Sequence, residues 1–152
     1  MIASSGLRAD RWSIRDGYHR NLAADGSVLE DSLYADRSGW EVSWRGGATA
    51  DVSRGVRLRA AAYTGLRLPT VNELYRPFVV FPITTSANAQ LKNEHLQGFE
   101  AGLDLTLNGG FDLSLTAFDN KVKNAIANVT LSGTERQRQN VDAVHSRGIE
   151  LS

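Results

Sequence analysis

The chain predicts an all-β fold, an antiparallel up-and-down meander of about six strands. Three observations lead there: a side-chain period of two in every clear segment, hairpin loops whose lengths agree with that period, and short turns that alternate with long connections. In WEVSWRGGATADV, Trp40, Val42, Trp44, Gly46, Ala48, Ala50 and Val52 form one face. Glu41, Ser43, Arg45, Gly47, Thr49 and Asp51 form the other. GVRLRAAAYT sets Val56, Leu58, Ala60 and Ala62 against Arg57, Arg59 and Tyr63. FEAGLDLTL sets Phe99, Ala101, Leu103, Leu105 and Leu107 against Glu100, Gly102, Asp104 and Thr106, and FDLSLTA continues with Phe111, Leu113, Leu115 and Ala117 against Asp112, Ser114 and Thr116. Helical spacing fits none of these runs.

The connections agree with the faces. A register slip of one residue moves every side chain to the wrong side. With Ser53-Arg54-Gly55 as a three-residue loop, Val52 faces Val56, Ala50 faces Leu58 and Ala48 faces Ala60, while Asp51 meets Arg57 and Thr49 meets Arg59. With Asn108-Gly109-Gly110 as the second loop, Leu107 meets Phe111, Leu105 meets Leu113, Leu103 meets Leu115, Thr106 meets Asp112 and Asp104 meets Ser114. Loops of this length favour a left-handed glycine, and both end in one. Roughly 16 to 38, 66 to 94 and 126 to 136 form the remaining, longer connections.

Outer-membrane barrels have short turns at one end and long loops at the other. Strands of about 10 to 13 residues meet the length of about 9 to 11 that a tilted membrane strand needs. Trp40 and Phe99 at the loop end and Phe111 at the turn end, all on the apolar face, resemble two interfacial girdles. A soluble antiparallel sheet with one buried face explains the alternation equally well.

Composition excludes several classes. Among 152 residues, 17 basic side chains balance 17 acidic ones, which argues against a generic nucleic-acid binder. Without cysteine there is no disulfide framework, thiolate metal site or cysteine nucleophile. The opening IASSGLRADRW lacks the apolar core of a signal peptide, and no run of about 18 apolar residues forms a membrane helix. His19, His95 and His145 lack metal-ligand spacing. No G-x-S-x-G elbow occurs. Gly46-Gly47 and Gly109-Gly110 are not framed as phosphate loops. No catalytic residue, metal site or cofactor is expected. His145 and Arg147 interrupt an apolar face made by Val141, Ala143, Ile149 and Leu151, and are read as lying near an interface.

The strand GVRLRAAAYT runs into GLRLPTVNELYRPF. Pro69 cannot donate to a ladder and ends the pairing. Thr70 followed three residues later by Glu73 is a capping box, so a short helical turn begins there, anchored by Leu74 and Tyr75. This segment, with Pro69, Thr70, Asn72, Glu73, Leu74 and Tyr75, resembles the FRAPT-x-x-E-L-Y stretch of TonB-dependent outer-membrane receptors. Further landmarks of that family follow in order. Asn88, Leu91 and Glu94 within ANAQLKNE resemble Asn-Pro-x-Leu-Lys-Pro-Glu. Glu100 and Gly102 resemble its x-E-x-G strand start, and Phe118 and Asn120 its a-F-y-n strand. Asn140, Gly148 and Glu150 resemble its N…x-G-v-E strand. The departures are Ala89 and Asn93 for two prolines, and Leu66 for an aromatic residue.

The resemblance covers about 63 to 152. It implies that residues 1–152 are an internal piece of a transmembrane β-barrel, since such barrels have roughly 22 strands, no plug domain or TonB box is found, and ELS stops in mid-strand. It implies a transporter without catalysis, for energy-coupled uptake of a ferric siderophore, haem, cobalamin or a glycan. The expected partners are outer-membrane lipid, the plug of the same parent chain, TonB through that plug, and a small ligand such as a ferric chelate, with no nucleic acid. Tyr34, Trp40, Tyr75 and Arg76, in or beside the long loops, are the candidate ligand contacts, with girdle and anchor roles as the alternative for Trp40 and Tyr75. Arg76 and the run ERQRQ (135–139) add local positive charge that suits an anionic chelate or a lipopolysaccharide phosphate. A passive porin or adhesin segment and a soluble β-sandwich binding module are the competing functions. The last requires Trp40 and Trp44 to be buried.

Overall fold

The computed structural model describes residues 1–107 and 109–152. Six long strands make the meander: β1 (Ile2–Ile14), β4 (Arg37–Ser53), β5 (Val56–Arg67), β8 (Glu94–Leu107), β9 (Phe111–Thr130) and β10 (Glu135–Leu151). Each pairs antiparallel with the next. The long connections carry structure of their own. A separate hairpin, β2 (Tyr18–Leu22) and β3 (Val28–Leu33), fills the first. The second holds α1 (Val71–Tyr75), β6 (Phe78–Val80) and β7 (Ile83–Ser86). The sheet order is β1-β4-β5-β8-β9-β10-β7-β6, with β7 added parallel to the loop end of β10.

The expected registers hold through the strand bodies. Ala50 faces Leu58, Ala48 faces Ala60 and Thr49 faces Arg59. Leu107, Leu105 and Leu103 face Phe111, Leu113 and Leu115. The β4–β5 tip differs: Ser53, not Val52, pairs with Val56, and the register shifts between Asp51 and Ser53. A bulge takes up the extra residue. Gly55 there has a φ of 75°, and its carbonyl accepts the Thr106 N–H at 2.7 Å. A Cβ on Gly55 would stand 2.5 Å from the Thr106 carbonyl oxygen, so turn and neighbouring strand together require glycine. In the second turn, Gly109 and Gly110 have φ of 98° and 83°, whereas Asn108, also assigned to that loop, lies outside the described residues.

The third connection is shorter than expected. β9 and β10 remain paired to Thr130 and Arg136, leaving 131–134 between the strands. Polar alternation in NVT and ERQRQ is compatible with a solvated β-ribbon, which a search for apolar faces overlooks.

Among the described residues, no layer covers the apolar face. Trp40 is 68% exposed, Trp44 44%, Phe99 58% and Ile149 73%, where a soluble sandwich would bury both tryptophans. The buried cluster of Leu74, Tyr75 and Leu91 lies at the loop end, packed by Ile14, Tyr34, Ala89 and Ile126.

Candidate functional site: the polar face and the loop clamp

Alternation puts Arg59, Tyr63, Glu100, Asp104, Ser114, Thr116 and Asn120 on one face of three adjacent strands. Arg59 Nε stands 3.1 Å from Asp104, and its Nη2 donates to the Ser114 hydroxyl at 2.8 Å. Ser114 donates to Asp104 at 2.7 Å. One residue pair further along, the Tyr63 hydroxyl donates to Glu100 Oε1 at 2.7 Å and lies 3.1 Å from Asn120 Oδ1.

Glycines seat these side chains. A Cβ at Gly98 would meet the Tyr63 ring at 2.3 Å. At Gly102 it would meet the Arg59 guanidinium at 2.6 Å, and at Gly148 the Phe118 ring at 2.9 Å. Glycine in a strand often marks such a close approach. Here a large side chain lies flat over the bare backbone of the adjacent strand. The family-like Gly102 and Gly148 thereby gain a physical role, as does Phe118. Beside the ladder lies a hollow of about 270 Å³ lined by Ile2, Ser4, Thr49, Arg59 and Glu100 among others. Glu150 pairs in register with Thr116 at the turn end of the same face.

The loop end is built differently. Thr70 caps α1: its hydroxyl oxygen accepts the Glu73 N–H at 3.2 Å, and Glu73 Oε2 accepts the Thr70 N–H at 2.8 Å. Pro69, buried, ends β5. Arg67 then joins Glu73, at 3.0 Å, to Glu94 at the start of β8. Burial alone would raise the Glu73 carboxyl, but the Arg67 guanidinium and the capping bonds together hold it below its ordinary range. Glu94 also accepts the Ile126 N–H at 2.6 Å.

Asparagines and arginines tie the loop to distant strands. Asn88 donates to the Arg138 carbonyl at 3.0 Å and accepts the Gln90 N–H at 2.9 Å. Asn140 accepts the Lys92 N–H at 2.8 Å and donates to the Lys92 and Asn124 carbonyls. Arg37 donates to the carbonyls of Ala89 and Leu91 at 2.8 and 2.7 Å. Arg138 donates to those of Asn72 and Arg76 at 2.6 and 3.0 Å, with its guanidinium 4.9 Å from the Phe78 ring centroid. Asn72 thus takes part through its backbone. Leu74 and Leu91 fill the centre, 1% and 0% exposed.

The four candidate ligand contacts separate. Tyr34 stacks on Tyr75 with centroids 4.6 Å apart, and Tyr75 is buried over Gly17. Trp40 stands exposed on the apolar face, and Arg76 is exposed beside α1. The structure does not gather them at one point. Among the described residues, no group of three or more His, Asp or Glu could hold a metal ion. His95 instead contacts Glu41 at 3.0 Å, and His19 lies 3.7 Å from Glu30. Sequence reasoning placed Arg59 and Tyr63 on the correct face and expected its carboxylates Glu100, Asp104 and Asp112 to ladder with plug or cross-strand arginines, as Asp104 does with Arg59, but it gave Tyr63 no partner. It missed Arg37 and Arg67, and read Arg138 only as part of the positive charge of ERQRQ, whereas Arg138 donates to loop carbonyls. Arg37 and Arg138 bridge 52 to 66 residues of chain, and no local pattern signals such contacts.

Among the described residues, no helix is long and apolar enough to cross a membrane, which says nothing of strands. The chain is similar in fold to the haemophore receptor HasR of Serratia marcescens, with 18% identity over 98% of this chain and a TM-score of 0.69. It is likewise similar to the copper transporter OprC, with 23% identity over 98% of this chain and a TM-score of 0.70. The siderophore receptor PirA of Pseudomonas aeruginosa matches at 16% identity over 97% of this chain, with a TM-score of 0.62. The chain spans 27%, 22% and 30% of those three proteins. No curated protein sequence matches it. The family model described as "TonB dependent receptor-like, beta-barrel" matches residues 2–152, and the chain belongs to the TonB-dependent receptor β-barrel family.

Proposed function

We propose that residues 1–152 form one stretch of the wall of an outer-membrane receptor that takes up a scarce nutrient in a TonB-dependent, energy-coupled manner. TonB-dependent receptors are transporters rather than enzymes, so the polar network positions rather than reacts. The observation that carries this reading is the contrast of the two faces. The apolar face is open along its length, as contact with bilayer hydrocarbon requires. The opposite face holds a charged ladder and a hollow, which suit a lumen that packs against the plug of the parent chain. TonB acts through that plug.

The long connections then lie outside the bacterial cell, with Tyr34, Trp40, Tyr75 and Arg76 at or near that end. The ligand is a small chelate or cofactor of the ferric siderophore, haem or cobalamin kind. Similar folds serve a haemophore receptor, a siderophore receptor and a copper transporter, which supports nutrient uptake without choosing among cargoes.

The test is uptake of radiolabelled ferric siderophore, haem and cobalamin by cells carrying the whole receptor as their only route, with and without TonB. Uptake of one of them that disappears without TonB supports the proposal. Diffusion of small solutes that ignores TonB identifies a passive barrel instead.

A further inference from the structure

A groove of about 550 Å³ opens on the apolar face at the loop end, lined by Trp44, Leu66, His95, Gln97, Lys121 and Lys123 among others. It exists because β4 and β5 part company there. Their pairing stops at Arg45 and Tyr63, and the Thr64 hydroxyl receives the Trp44 N–H at 2.9 Å where a ladder bond would otherwise form.

The groove sits where this face changes character. On β9 and β10 the face is apolar through Leu113, Leu115, Ala117, Ile149 and Leu151. It then turns to Asp119 beside Arg147, Lys121 beside His145, and Lys123 beside Ala143. The lysines lie on successive outward positions of one strand, about 7 Å apart. Neither makes an ion pair among the described residues. The carboxylates nearby are Asp119 and, at the groove wall, Asp142. Glu41 is engaged by Asn93 and His95.

We propose that this groove seats the phosphorylated headgroup of a lipid in the leaflet on the loop side, with Lys121 and Lys123 as its phosphate contacts. The inference rests on the proposed function, because it needs the apolar face to meet lipid. Two observations support that occupant. The groove continues the apolar band directly, so whatever fills it shares its boundary with acyl chains. Its cations stand at the depth where hydrocarbon gives way to headgroups, and unpaired ammonium groups there complement phosphate. Trp44 adds an amphipathic ring of the kind found at such boundaries.

The experiment uses the whole receptor, refolded in detergent. It measures retention of diphosphoryl lipid A, and of the same lipid with both phosphates removed, after gel filtration. Heat-modifiable gel mobility reports the folded barrel separately. Each basic side chain at an anionic lipid surface contributes about fivefold. The double variant Lys121→Gln/Lys123→Gln is therefore expected to retain the phosphorylated lipid about 25-fold less. Retention by the unaltered receptor is expected to fall as sodium chloride rises from about 0.05 M to about 0.5 M, and the dephosphorylated lipid is expected to bind no better than it does to the variant. Arg57→Gln, at the opposite end and on the polar face, is the control expected to change nothing.

Equal retention by receptor and variant overturns the proposal. So does retention that ignores salt or phosphate in the unaltered receptor, a readout that does not depend on the variant folding. Release by inorganic pyrophosphate at the lipid's own concentration overturns the choice of a lipid over a free anion. A receptor that never inserts into lipid bilayers overturns the membrane reading itself.

Discussion

The wall and the clamp use the same chain in opposite ways. In the wall, from Ala48 to Ala60 and from Leu103 to Leu115, one face stays open and the other carries paired charges. Hydrogen bonds between neighbouring strands hold it, and burial within this chain contributes little. In the clamp, residues 68–93, two leucines and a tyrosine are almost fully buried, arginines of remote strands donate to the loop's carbonyls, and Asn88 donates to a carbonyl of β10. The difference teaches where solvent is expected. On the proposed function, the wall gives up a core because lipid would take that place, whereas the clamp would face water and builds a core of its own.

The largest effect is expected inside the clamp. Leu74→Ala or Leu91→Ala removes a fully buried side chain and leaves a cavity, costing about 2 to 5 kcal/mol locally. Limited proteolysis of the receptor should cut at 68–93 while the barrel keeps its heat-modifiable mobility. Loss of the whole barrel would show that the two regions are not separable.

The wall answers to a different substitution. Leu103→Arg or Leu115→Arg in the full receptor should cost about 2 to 4 kcal/mol if the position is near the membrane midplane, measured by denaturant titration in lipid bilayers. Normal insertion and stability of both would remove the membrane reading.

Next come the glycine seats. Gly98→Val should displace Tyr63 and break its bond to Glu100, at a cost of about 1 to 3 kcal/mol. In a double-mutant cycle with Tyr63→Ala the two changes should be less than additive, because the clash with the ring disappears while Asn120 Oδ1, 2.5 Å from the same Cβ, remains. Additive behaviour would mean that the ring does not rest on the glycine.

The smallest effect belongs to the cap. Thr70→Ala should cost about 0.5 to 2 kcal/mol, read as faster proteolysis at α1. The Glu73 carboxyl is held below its ordinary range. Its contribution is therefore complete above that range and is lost as pH falls through the lowered folded value. Protease sensitivity of the loop should be flat near neutrality and rise only in acid, by less in Thr70→Ala. A rise centred near neutral pH would implicate a group other than Glu73.

Legibility followed sequence distance. The alternation of WEVSWRGGATADV and FEAGLDLTL revealed both faces, and two glycine-ended loops brought the registers within one bulge of those observed. The Thr70–Glu73 box was readable because its partners lie three residues apart. The bulge at Val52 was not, since it depends on Gly55 meeting Thr106 of β8. The late end of β9 was missed because a polar ribbon has no apolar face to trace. Trp40 was legible on the apolar face and Tyr75 as an anchor of the helical turn, but the stacking of Tyr34 on Tyr75 was not, because the two tyrosines lie far apart in the chain.

The sequence by itself determined the strands, their faces, the start of the helical turn and the family, because each rests on the backbone's own period or on neighbours a few residues apart. Tertiary structure alone decided which glycines carry a ring or a guanidinium, which carbonyls Arg37 and Arg138 satisfy, and where β4 leaves β5 to open the groove beside Lys121 and Lys123. Those are meetings of strands far apart in the chain, and their geometry comes from twist and packing, which no local pattern of residues encodes.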